Sequence, residues 1–174
     1  MTGEKPAIGY HNRRNGDIMR RFVVRGALGA AATAFLLIAT SAPANAVNVP
    51  ESRNLLDPPS CESPSGSSFR FSFRYNSNLS GAWKNLGYAH ANFAATDIGV
   101  GDPFDYPLEF CSGTGNGAGQ GIKNNAASAR NRHSSYSGRV YYNSWWQGAY
   151  NNFLPGTGGN LTSTYNNNAS FQWL

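Results

Sequence analysis

The chain has 174 residues, with 14 Lys and Arg against 9 Asp and Glu, ten Phe, nine Tyr, four Trp and two Cys. Six of the basic and two of the acidic residues precede Val47, so the remaining 128 residues carry eight basic and seven acidic groups, a net charge of +1. That near-neutral balance gives no argument for nucleic acid or an anionic membrane as a partner.

The first 46 residues read as an export signal. Arg20, Arg21 and Arg25 form a positive start, Ala27 to Ala39 is apolar, and Ala44-Asn45-Ala46 is an A-x-A cleavage site that would leave Val47 first. The apolar run of about 13 residues falls short of the roughly 20 that a membrane helix needs. Met19 directly precedes Arg20 and offers a second start. The expected location is therefore secreted and extracellular, with no membrane association after cleavage, and the protein is expected to be a monomer.

Residues 47–66 read as a tail rich in Pro and Ser, irregular or flexible, with Cys61 as its anchor. Cys61 and Cys111 are the two cysteines; an even count in an exported chain suggests a bridge between them. From Ser68 the pattern changes. Phe69, Phe71, Phe73 and Tyr75 alternate with Ser68, Arg70, Ser72 and Arg74, the period-two signature of a strand with one aromatic face. Arg139–Tyr142 begins a second such strand, with Val140 and Tyr142 on one face, and Ser170–Trp173 alternates again. No window shows a 3.6-residue apolar period, and Gly, Asn and Ser punctuate the chain throughout. The expectation is an all-β sandwich of short strands.

Two motifs recur in the same order. Tyr75-Asn76-Ser77 is followed by Gly81-Ala82-Trp83, and Tyr142-Asn143-Ser144 by Gly148-Ala149-Tyr150. Asn124-Asn125-Ala126-Ala127-Ser128 recurs as Asn166-Asn167-Asn168-Ala169-Ser170, 42 residues later. The repetition predicts a duplicated Greek key, the first over about 67–131 and the second over about 132–174, within one domain at 67–174. Gly81 and Gly148 would supply the positive φ that a sharply folded hairpin needs. The N-N-x-x-S stretches would form tight returns, with Asn in left-handed backbone and the Ser hydroxyl closing the turn. The first half is longer by about 25 residues. The extra length is assigned to an insertion at about 87–120, which holds Asp97, Asp102, Asp105 and Glu109 and a glycine-rich run at 113–119.

These residues resemble the βγ-crystallin type of Greek key. More narrowly, Gln120–Asn131, Arg139–Ser144 and Asn160–Phe171 are similar to secreted actinobacterial proteins of peptidase inhibitor family I36, the family of the Streptomyces metalloproteinase inhibitor. The likeness spans about 69–174. Tyr141, Trp146 and Gly148 meet the aromatic-x4-aromatic-x-Gly signature, whereas Arg74 and Leu79 depart from it in the first copy. The resemblance implies a βγ-crystallin-like sandwich of two Greek keys and no catalysis. It implies inhibition of an extracellular, thermolysin-like metalloprotease through a rigid loop set into the protease cleft. Leu108-Glu109-Phe110-Cys111-Ser112 is the candidate loop: Leu108 and Phe110 to fill a specificity pocket, Glu109 to approach the zinc, Cys111 as anchor. Taken residue by residue, Leu108 and Phe110 read more readily as core residues of an edge strand.

The resemblance also implies calcium-type turns at Asn124, Asn125 and Ser128 and at Asn166, Asn167 and Ser170. Neutral amides stand where carboxylates would hold a hard cation, and Ala129 and Phe171 stand where a further Ser is expected, so only weak calcium binding follows and no cofactor is assigned. The insert acids are the other calcium candidates, or a solvated loop. After Val47 only His90 and His133 could serve histidine catalysis, and no metal-ligand or nucleophile motif accompanies them. An alternative function is a cell-surface, glycan-binding or antimicrobial killer-toxin-like module, in which Tyr136, Tyr141, Trp145 and Trp146 stack on a ligand or pack the corner.

Overall fold

The computed structural model describes residues 50–99 and 101–174. The described residues all belong to one compact unit. The export signal, Met19 and Val47 lie outside the described residues.

Strand β1 (Phe71–Asn76) folds back through a hairpin onto β2 (Ser80–Leu86). Phe71 and Phe73 are buried on its inner face, as the alternation predicts. A two-stranded ribbon of β3 (Thr96–Asp97) and β4 (Asp105–Tyr106) follows, then β5 (Ser128–Asn131), which pairs with β1. The second key repeats the plan with β6 (Gly138–Asn143), β7 (Gln147–Phe153), β8 (Gly158–Asn160) and β9 (Ser170–Trp173).

The keys exchange strands. One sheet has the order β2-β1-β5-β8, so β8 of the second key extends the first key's sheet. The other has the order β7-β6-β9. Onto its β9 edge comes the first key's third segment: the His90 and Phe171 amides and carbonyls bond reciprocally at 2.8 and 2.9 Å, and the Phe93 amide donates to the Ala169 carbonyl at 2.9 Å. The Leu161 amide donates to the Ala127 carbonyl at 2.9 Å on the opposite side, the pseudo-symmetric counterpart. This is a βγ-crystallin-like sandwich of two interlocked Greek keys.

The core between the sheets is aromatic. Phe71 stacks at 4.3 Å on Phe171, with Phe73, Phe93 and Phe153 edge-on around them. Each fully buried Phe contributes about 2–3 kcal/mol of transfer free energy. Leu108 and Phe110 from the insert, and Ile122 just after it, complete this core.

The N-terminal segment is better ordered than its composition suggests. Pro50–Ser52 and Pro58–Ser60 form 3-10 turns on either side of the single helical turn α1 (Arg53–Leu56). Asn54 is fully buried; its Oδ1 accepts from the Gly87 and Tyr88 amides at 2.9 and 3.0 Å, and its Nδ2 donates to the Tyr88 carbonyl at 2.8 Å. The Asn85 side chain, on β2, donates to the carbonyls of Pro59 and Glu62. The segment thus fastens to β2, an edge strand whose chemistry would otherwise invite a foreign strand. Cys61 and Cys111 are bridged, with Cα atoms 5.5 Å apart.

Candidate functional site

Three regions hold the residues singled out by sequence: the paired turns, the insert and the tip of the second hairpin. The turns come first because they repeat. In each key the hairpin carries two left-handed non-glycine residues, Asn78 and Leu79 in the first and Trp145 and Trp146 in the second, followed by Gly81 at φ +76° and Gly148 at φ +81°. A Cβ on Gly81 would lie 2.8 Å from the Asn76 side chain, and one on Gly148 2.9 Å from that of Asn143. Both glycines are therefore required by backbone sign and by space.

The serines of N-N-x-x-S pin these hairpins. The Ser128 hydroxyl donates to the Asn76 carbonyl at 2.6 Å and accepts from the Leu79 amide at 3.0 Å. The Ser170 hydroxyl donates to the Asn143 carbonyl at 2.7 Å and accepts from the Trp146 amide at 3.1 Å. The two turns also grip each other. The Asn124 amide donates to the Asn168 carbonyl at 2.8 Å, the Asn166 amide to the Ala126 carbonyl at 3.1 Å, and the buried Asn168 Nδ2 to the Ala126 carbonyl at 2.7 Å. Asn125 spends its amide group on Gln120 and the Gly121 carbonyl.

This geometry bears on calcium. Beside the second turn is a notch of about 240 Å³ lined by Asn124, Asn143, Asn167 and Lys123. No carboxylate lines it, and its lysine opposes a divalent cation. Calcium at millimolar concentration is expected to leave the melting temperature unchanged, whereas a ligand of the native state must raise it. Ser170→Ala is expected to cost about 1–3 kcal/mol in denaturant unfolding, because it strands a carbonyl and an amide together.

The insert behaves differently from its expected role. Leu108 and Phe110 are buried in the core rather than displayed. The Leu108 amide donates to the Phe93 carbonyl and its carbonyl accepts from Ile122; Phe110 is held likewise by Gln120 and Gly119. Cys111 is bridged to Cys61, and its amide donates to the Trp83 carbonyl. A segment bonded on both sides cannot extend into another protein's cleft, so of the five loop candidates only Glu109 and Ser112 reach the surface.

The displayed part of the insert is the β3–β4 ribbon. Phe104 is 67% exposed there. Asp102 shapes the turn: one carboxylate oxygen accepts from the Phe104 amide and the other from the Tyr106 hydroxyl, both at 3.0 Å. Asp97 and Asp105 face each other across the ribbon. Among the described residues no group of three or more acids, histidines or cysteines is placed to hold a metal ion. Phe104 escaped the sequence reading because it lies outside any alternating run; the Pro103 and Pro107 that bracket it were the available signal.

At the hairpin tip Trp145 is 63% and Trp146 40% exposed, with Tyr142 and Tyr150 beside them in sequence and also exposed. Trp146 is half a packing residue, since its indole donates to the Phe171 carbonyl at 3.0 Å. Tyr141 is buried, not a stacking platform, under Arg139, whose guanidinium lies 4.2 Å from the Tyr150 ring centre. Tyr136 is exposed elsewhere, against His133.

His90, His133 and Lys84 are tied into the fold. His90 is buried, and the His133 Nδ1 accepts from the amides of Ser135 and Tyr136 at 3.0 Å. Burial lowers the Lys84 ammonium to about 8, the Glu109 carboxylate partly opposing it, and Lys84 Nζ donates to the Ser60 hydroxyl at 3.2 Å.

No family model matches the chain, and no curated protein sequence matches it. Among solved structures it is similar to one described as "Evolution of the eye lens beta-gamma-crystallin domain fold", at 7% identity and a TM-score of 0.41 over 61% of this chain and 85% of that one. It is also similar to the N-terminal domain of protein S, at 13% identity and a TM-score of 0.40 over 60% of this chain and 94% of that one.

Proposed function

We propose that the protein is secreted and acts by binding, as a proteinaceous inhibitor of extracellular metalloproteases. The sequence resemblance over about 69–174 supports the class of target. The observation that carries the reading is the β3–β4 ribbon, which projects Phe104 into solvent on a turn already shaped by Asp102. Pro103 and Pro107 restrict the backbone on either side of it. A preordered turn reduces the entropy cost of entering a cleft. Phe104 is the side chain for an apolar specificity pocket, and the adjacent Asp105 offers a carboxylate of the kind zinc accepts.

Titration against thermolysin tests this. Stoichiometric loss of protease activity is the expected result. Phe104→Ala is expected to weaken inhibition about 30-fold, the size of a central hot-spot side chain. Trp145→Ala leaves inhibition intact. Absence of inhibition at micromolar protein contradicts the reading.

A second reading rests on the hairpin tip, where the Trp145 ring is displayed to solvent beside the half-exposed Trp146. In that reading the protein binds glycan or cell surface by stacking, and Trp145→Ala removes binding to isolated cell walls without touching any protease.

A further inference from the structure

The outer face of the first sheet carries chemistry that neither reading uses. Ser68, Arg70, Ser72 and Arg74 alternate outward from the β1 segment, opposite the buried phenylalanines. Across the sheet, Arg130 stands directly opposite Ser72 in the β1–β5 ladder. Arg132 follows at the end of β5. Four arginines therefore share one face, and among the described residues the sole ion pair is Arg53 with Asp57, so none of the four has a carboxylate partner.

The four are not equivalent. Arg74 is fixed: its guanidinium lies 5.0 Å from the Trp83 ring centre and donates to the Gly81 carbonyl at 3.0 Å. Arg132 is fixed too: Nη2 donates to the Ser72 hydroxyl at 2.7 Å, and more distantly to Asn85 Oδ1 and the Phe69 carbonyl at 3.4 Å. Its Nε–H is buried without an acceptor. Arg130 is exposed and makes no hydrogen bond to the protein through its side chain. A cleft of about 400 Å³ lies among Ser72, Arg74, Arg130 and Arg132, walled by Pro64 and Ser65 of the N-terminal segment and by Leu79 of the hairpin. Burial, with repulsion from Arg70, Arg74 and Arg130 added, lowers the Arg132 guanidinium to about 10.

We propose that this cleft is a binding site for phosphate groups, which Arg74, Arg130 and Arg132 hold together. Unopposed like charges in a partly dry cleft repel one another, and an anion of more than one charge removes that repulsion. Guanidinium forks suit oxyanions because they donate two parallel N–H bonds. Three of them converging on one cleft match a tetrahedral group with several acceptor oxygens better than a single two-oxygen carboxylate. Two of the three are already immobilised, so little rotamer entropy remains to be lost on binding. The site is independent of the inhibitor reading, since it lies on the first sheet and not on the β3–β4 ribbon.

The test is differential scanning fluorimetry and calorimetry of the whole protein with pyrophosphate, inorganic phosphate and long-chain polyphosphate, each against sodium chloride at equal ionic strength. Pyrophosphate is expected to raise the melting temperature where chloride does not. Arg130→Gln is expected to weaken binding about tenfold, the worth of one charge-assisted contact. It should leave the unliganded melting temperature unchanged, because glutamine keeps the aliphatic stem that lies over Gly158 and the lost guanidinium bonds nothing in the fold. Arg53→Gln, on the N-terminal segment, should bind as the wild type does. Pyrophosphate binding as tight as that of the long chain identifies a small phosphate compound as the ligand class; affinity rising with chain length identifies a phosphate polymer. No shift and no heat at millimolar pyrophosphate, or equal affinity in Arg130→Gln, overturns the proposal.

Discussion

Replacing Cys61 and Cys111 together with serine is expected to lower the unfolding free energy by about 4 kcal/mol, the chain-entropy value for a loop of this length. The bridge spans 50 residues and joins the N-terminal segment to the insert. Its surroundings add to the effect. Lys84 is buried against Ser60 and within 3.7 Å of the Cys61 sulfur, so loosening the bridge also loosens the packing over β2. Urea unfolding of the double variant, compared with wild type, gives the difference directly. A loss below about 1 kcal/mol would mean that the reduced chain already keeps these ends together.

Acid is expected to destabilise the protein through His90, by an amount on the order of 3 kcal/mol between neutral pH and about pH 4. Burial is the main cause that lowers this imidazole to about 4; a backbone hydrogen bond with Asn92 opposes it and the Lys84 charge adds to it. The folded value lies below the ordinary value of 6.5, so the unfolded chain binds the proton first as pH falls. The stability is therefore fully present above pH 6.5 and is lost progressively down to the folded value. The contacts explain why the neutral ring is required. Asn54 is oriented by two backbone amides on its Oδ1, so its Nδ2 faces His90 Nδ1 at 3.4 Å as a donor. Nδ1 must accept, which leaves the Nε2 proton for the Thr96 hydroxyl at 3.1 Å. A second proton would set N–H against N–H. Stability measured from pH 7 to pH 4 should fall in wild type and fall much less in His90→Gln, compared with its own value at pH 7.

Much of the architecture was legible in the residues. The alternation from Ser68 to Tyr75 gave β1 and its buried face, and the two repeats gave the two keys, because each repeat is dictated by local backbone sign and a hydroxyl pin. What was not legible depends on partners distant in sequence. β8 is Gly158-Gly159-Asn160, with no side-chain pattern; it exists because β5 offers an unpaired edge. Asn54 looked like part of a flexible lead, yet it is buried to satisfy the Gly87–Tyr88 backbone. Leu108 and Phe110 read as core more readily than as displayed, but their spacing alone does not separate the two, since an alternating apolar pair has the same spacing in both. Phe93 and Ile122 decide the matter for Leu108, and Gln120 and Gly119 for Phe110, by claiming the backbone of each. Phe104 became visible as a candidate once they were placed inside.

In the proposed function, recognition falls to the ribbon of the insert rather than to the duplicated turns. Hydrogen–deuterium exchange of the protein mixed with thermolysin tests this most directly. Amide protection concentrated at 97–106, around Phe104, is the predicted result. Protection confined to the 142–150 hairpin, or no protection at saturating protease, would contradict it.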